Sequence, residues 1–151
     1  MMSAGQIQLV KKNWRLLRDI APELLADTFY SKLFFDHPEL RRLFPKQMDE
    51  QYRKLIDMLS AIVARLDKPG NFETEIAELG RRHQGYGVRA LHYEMVGEAL
   101  LWTLEKGLGN DWNEDAAAAW RACYLDIVNG MTRDPRSLGT ISTDQNTNID
   151  R

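Results

Sequence analysis

One cysteine in 151 residues, Cys123, excludes an intramolecular disulfide and fits a reducing compartment. Only 5 prolines and a charged fraction of 28% exclude a disordered or linker-dominated chain. The charge is nearly balanced, with 20 lysines and arginines against 22 aspartates and glutamates, and no basic block stands out. Nothing electrostatic therefore favours a nucleic-acid partner. There is no apolar run of membrane-spanning length, and residues 1–12 do not read as a secretion signal. The expectation is one cytoplasmic domain with one core, and no membrane partner. Internal repeats and strand-like alternation are missing too.

What is present is one helical pattern after another. Ser3 is placed to cap a first helix, in which Ile7, Val10, Trp14 and Leu17 recur at helical spacing. Pro22 suits the first turn of a second helix, with Leu25, Phe29, Leu33 and Phe34 inward, ending before Pro38. A short helical corner is expected over Pro38–Phe44, closed by Pro45. The next helix runs from Asp49 to about Leu66, with Gln51, Leu55, Met58, Leu59 and Ile62 on its inner face. Lys68-Pro69-Gly70-Asn71 is a break, followed by a helix from Phe72 to His83 that Gly85 and Gly87 end. Two longer helices, Leu91–Leu108 and Asn113–Met131, complete an all-α domain over residues 1–131. Residues 132–151 are polar and are expected to form a disordered tail. Helix count alone does not separate a bundle from a helical sandwich.

The most informative residue is His83. It shares an apolar face with Ile76 and Leu79, just before the helix-ending glycines. An imidazole there is either a satisfied core residue or a ligand. A histidine near a helix C-terminus can present one nitrogen to an iron atom while the other donates to a carbonyl one turn earlier, here that of Leu79. His37, at a helix end, and His92, in a first turn, are expected at the surface. No Cys-x-x-Cys-His, His-Glu-x-x-His or Cys/His cluster occurs, so neither covalent haem attachment nor a zinc site is indicated.

Tyr30, Gln51 and Leu55 have the chemistry of a facing wall. A phenol and an amide can donate to a diatomic ligand that carries partial negative charge. In a dry pocket each such bond is worth about 1–2 kcal/mol. The bland alternatives are a core aromatic and an exposed helical glutamine. Lys54 lies on the rim of the same face, either paired with a haem propionate or simply solvated. Phe44, in the corner, either wedges against a porphyrin or plugs the corner.

Several segments taken together resemble bacterial single-domain globins and the globin module of flavohaemoglobins. They are Phe29–Phe34, His37–Leu40 with Leu43-Phe44, Gln51–Leu55, Leu79–Val88, His92–Leu101, and Ala119-Trp120 with Tyr124. The resemblance covers roughly Gln6 to Met131. It implies a three-on-three helical sandwich around haem b. His83 is then the iron ligand, and Tyr30 and Gln51 are the catalytic distal donors. Leu55, Phe44, Lys54, Leu79, Val88 and Tyr93 line or support the cofactor. In flavohaemoglobins a tyrosine at the place of Tyr93 acts with a glutamate on the iron-binding histidine; here Pro135 stands in the glutamate's place, with Asp134 beside it.

The resemblance further implies reversible binding of dioxygen, nitric oxide and carbon monoxide, and oxidation of nitric oxide to nitrate. The chain stops at Arg151 without a flavin or nicotinamide module, so a separate reductase is the expected electron donor. Two other functions stay open. One is an oxygen carrier, store or sensor. The other is a haemless signalling module, for which the His83, Tyr30 and Gln51 trio would be superfluous.

Overall fold

The computed structural model describes residues 2–68, 72–85 and 87–132. Among these it contains six α-helices and two short 3-10 helices. The α-helices are α1 (Ala4–Arg18), α2 (Pro22–Asp36), α3 (Asp49–Ala64), α4 (Phe72–Gly85), α5 (Ala90–Leu108) and α6 (Glu114–Thr132). The 3-10 helices are Pro38–Leu43, between α2 and α3, and Gly109–Asp111, between α5 and α6.

Local chemistry explains most of the ends. Ser3 Oγ accepts from the Gln6 N–H while the Gln6 side chain accepts from the Ser3 N–H, a reciprocal capping box. Pro22 and Pro38 each open an element, where a missing N–H costs nothing. Asn113 caps α6 by accepting from the Ala116 N–H at 2.8 Å. Gly87, at φ +89°, takes the left-handed turn after α4 that a side chain would resist. Observed ends agree with the sequence pattern to within two residues. The break at Pro69–Asn71 and everything beyond Thr132 lie outside the described residues; Thr132 itself, expected to begin the tail, is the last residue of α6.

The helices form the expected three-on-three sandwich, with α4 and α1 packed on α6, α2 on α5 and α3, and α5 on α6. The core holds Val10, Trp14 and Leu17 of α1, Leu25, Phe29 and Leu33 of α2, and Leu59 and Ile62 of α3. Its centre is a tryptophan pair, Trp14 and Trp120, with ring centroids 6.4 Å apart. Both indole N–H groups are satisfied: Trp120 donates to the buried Asn13 and Trp14 to Ser60, each at 3.1 Å.

The α4–α6 crossing positions the functional region. A Cβ on Gly80 would run into the Met131 carbonyl, and one on Gly130 would lie 2.5 Å from Ile76 Cγ2. Two glycines, one on each helix, thus let the backbones approach. Helix α4 is drawn onto α6, and α3 is held by α2 and α1 instead. α3 and α4 are not among the closely packed pairs.

Candidate functional site

His83 stands on the last turn of α4, half-buried, one turn after the half-buried Leu79. Its Nδ1 lies 2.8 Å from the Leu79 carbonyl oxygen. A carbonyl only accepts, so this bond places the proton on Nδ1 and the basic lone pair on Nε2. Burial lowers the pKa of the imidazole, partly opposed by the Leu79 bond, and the Arg82 charge lowers it further. The ring is therefore held neutral, the form a metal needs. The His83 carbonyl also accepts from the Val88 N–H at 3.1 Å, so the chain folds back under the histidine.

Tyr30 projects from α2 and is 4% exposed. Gln51, in the first turns of α3, donates its Nε2–H to Tyr30 Oη at 3.2 Å. The phenol accepts this bond and keeps its own proton to give. Burial pushes the Tyr30 pKa up to about 12, with the Gln51 bond pulling the other way, so the hydroxyl stays protonated. Phe44 meets Tyr30 edge-on at 5.5 Å and Phe34 edge-on at 5.3 Å, which locks the corner against α2. Leu55 is half-buried one turn after Gln51, and Lys54 is exposed beside it. Of the residues singled out in sequence, the structure joins Tyr30 to Phe44 and Gln51, and His83 to Leu79 and Val88.

Three findings depart from expectation. His92 is buried rather than superficial, 8% exposed, because its Nδ1 caps the start of α5 by accepting from the Arg89 N–H at 2.9 Å. His37 is partly covered, with its two nitrogens 3.8 Å from Glu39 and 4.0 Å from Glu98. The Tyr93 hydroxyl, which the resemblance places on the histidine, is buried and finds no hydrogen-bond partner among the described residues; only its carbonyl is used, by the Tyr124 hydroxyl. Pro135 and Asp134 lie outside the described residues. Sequence reasoning also passed over Tyr52. Its ring stacks on Tyr30 at 5.6 Å, and its hydroxyl donates to Asp27 at 2.8 Å. Its place directly after Gln51 was the available signal. A recess of about 260 Å³ opens elsewhere, among Trp14, Arg18, Pro22 and the face of α3 carrying Asp57 and Ser60, pointing away from Leu55.

The globin family profile matches residues 27–131. The chain belongs to the globin family. The flavohemoprotein of Bacillus subtilis (strain 168) is 27% identical to this globin over 140 residues, covering 89% of this chain and 35% of that one. Neuroglobin of Danio rerio is 33% identical over 117 residues, covering 78% of this chain and 72% of its own length. Among solved structures, the engineered carbene transferase RmaNOD from Rhodothermus marinus is 29% identical with a TM-score of 0.75, over 85% of this chain and 89% of that one. This globin spans about a third of the length of the flavohemoproteins it matches. No helix among its described residues is long and apolar enough to cross a membrane.

Proposed function

We propose that this globin holds haem b in the slot between α3 and α4, with His83 Nε2 as the iron ligand. The residues present suit that group. The imidazole is neutral, and its Nδ1–H is committed to the Leu79 carbonyl. The flanking side chains Phe44, Leu55, Leu79 and Val88 are apolar and only half-buried. A buried Tyr93 hydroxyl without a partner is a further donor on hand. Lys54, exposed on the rim, is the group for a propionate.

Haem bound there would supply the iron to which dioxygen, nitric oxide or carbon monoxide binds. The observation that carries the reading is the Gln51–Tyr30 hydrogen bond, which turns a buried phenol into a donor. The amide orients the phenol, and the phenol offers its proton to the more polar ligand. Linked donors polarise one another, so the pair favours dioxygen over carbon monoxide by more than either group alone. Leu55 and Phe44 exclude water and leave room for something small. With dioxygen held this way, the reaction supported best is oxidation of nitric oxide to nitrate. Nitric oxide, dioxygen and one electron balance to nitrate, so each turnover draws one electron from a reductase.

The test is reconstitution with haemin. A Soret band that shifts with carbon monoxide after reduction, and that is lost or altered in His83→Ala, is the expected result. Nitrate should then form when nitric oxide is added to the reduced, haemin-loaded protein under dioxygen. A Soret band without nitrate would leave a carrier, store or sensor. No Soret band after added haemin would sink the gas-binding reading and promote a haemless signalling module.

A further inference from the structure

Tyr52 has no part in the site described above, yet it ties that site to the surface. Its ring lies parallel to Tyr30, with centroids 5.6 Å apart and planes inclined by 9°. Its hydroxyl donates to Asp27 Oδ1 at 2.8 Å. Tyr30 is buried, Tyr52 half-buried and Asp27 exposed. The three residues step from the pocket wall to solvent.

We propose that Tyr52, with Asp27 as its proton acceptor, is a redox-active exit that passes oxidising equivalents from the pocket to a water-soluble one-electron donor of the phenol or enediol class. The proposal rests on the haem reading. Its chemistry follows from which phenol can lose a proton. An oxidised phenol is a strong acid, so its electron leaves readily only when the proton leaves as well. The Tyr30 oxygen accepts from the Gln51 amide, and an amide N–H cannot take a proton. The Tyr52 hydroxyl instead points at a carboxylate, which can. Asp27 and Asp49 also place negative charge near Tyr52, with Arg41 opposing. The more easily oxidised ring is therefore the outer one, and the parallel stack gives the orbital overlap for the electron to move inward.

Hydrogen peroxide is the oxidant that sets this up: with two electrons and two protons it becomes two waters, and two molecules of the surface donor, each losing one electron and one proton, balance it. Bound haem would supply the place where peroxide is reduced; the part played by this chain's own residues is that Tyr52 gives up one of the two electrons by way of Tyr30. The Tyr52 proton passes to Asp27, leaving a neutral tyrosyl radical beside a protonated carboxyl. A surface donor then returns the electron to Tyr52, Asp27 returns the proton, and the donor's own proton is released to solvent, matching one taken up in forming water.

The experiment uses the ferric, haemin-loaded protein, one equivalent of hydrogen peroxide, and freeze-quenched electron paramagnetic resonance. A parallel sample carries a nitrone spin trap and is read by peptide mass spectrometry. The wild type should show a tyrosyl radical and a trap adduct on the peptide holding Tyr52. Tyr52→Phe should keep the Soret band and carbon monoxide binding and lose the signal several-fold. Asp27→Asn, which keeps Tyr52 in place, should lower the yield as well. An unchanged signal in Tyr52→Phe, an adduct confined to another tyrosine, or no radical despite a spectral reaction with peroxide would overturn the relay. A wild type without a Soret band fails before peroxide is added and overturns the haem reading itself.

Discussion

Gln51 Nε2 donates to Tyr30 Oη at 3.2 Å, joining the start of α3 to the middle of α2. The direction of that bond sets the chemistry of the wall, because a phenol that accepts from an amide still has its own proton to offer. Burial holds that proton in place far above neutral pH, with the Tyr30 pKa at about 12. The donor is therefore present across the physiological range.

Removing either member should speed dioxygen release. Tyr30→Phe and Gln51→Leu are each expected to raise the dissociation rate about tenfold, the equivalent of a lost hydrogen bond of 1–2 kcal/mol. The double variant should fall short of the summed effects, since the two donors form one network. Stopped-flow displacement by carbon monoxide measures this. Unchanged rates in both single variants would remove the distal argument.

Gly80→Ala should destabilise the fold despite alanine's better helix propensity. The new methyl would meet the Met131 backbone, which cannot rotate away. Parting α4 from α6 is expected to cost about 1–3 kcal/mol. Haem loss should also quicken, because α4 carries His83. A urea midpoint at or above wild type would show that the crossing is not close.

Asn13→Ala should cost about 1–3 kcal/mol, because it strips the acceptor from the buried Trp120 indole N–H. The same denaturation measurement reads it. Asn13→Asp should be milder, since a carboxylate still accepts, although it buries a charge. A midpoint for Asn13→Ala equal to wild type would mean that the indole finds another acceptor.

His92 makes stability depend on pH. Burial lowers its pKa below the ordinary 6.5, helped by the charges of Arg89 and Arg42 and opposed by Glu39. Between the lowered folded value and 6.5 the unfolded chain holds more protons than the folded one. The stability is therefore full above 6.5 and is lost as pH falls through that window. Protonation would also remove the lone pair that accepts from the Arg89 N–H. Melting temperatures of the haem-free protein should drop on acidification below about 6.5, with a shallower slope in His92→Gln. Equal slopes would assign the acid sensitivity elsewhere.

Helix limits were legible because their causes lie within four residues. Ser3 with Gln6, Pro22, Pro38, Asn113 and Gly87 each act on their own backbone neighbourhood. The inner faces of α1 and α2 were legible for a related reason, since a 3.6-residue period reports which side is apolar. His92 was misjudged because its first-turn position says nothing about the corner that covers it. Tyr52 was passed over because its position beside Gln51 in sequence does not show which ring in α2 it meets.

Local sequence alone dictates an all-α chain, the order and length of its helices, and a histidine one turn after Leu79 at the end of α4. Those are short-range matters of propensity, capping and the reach of one hydrogen bond. Packing between helices is what sets α4 on α6, buries His83 enough to keep it neutral, aims Gln51 at Tyr30, stacks Tyr52 on the same ring, and leaves the Tyr93 hydroxyl buried without a partner among the described residues. Each depends on the register of one helix against another, which is set by the packing of many side chains at once and is written in no single stretch of the chain.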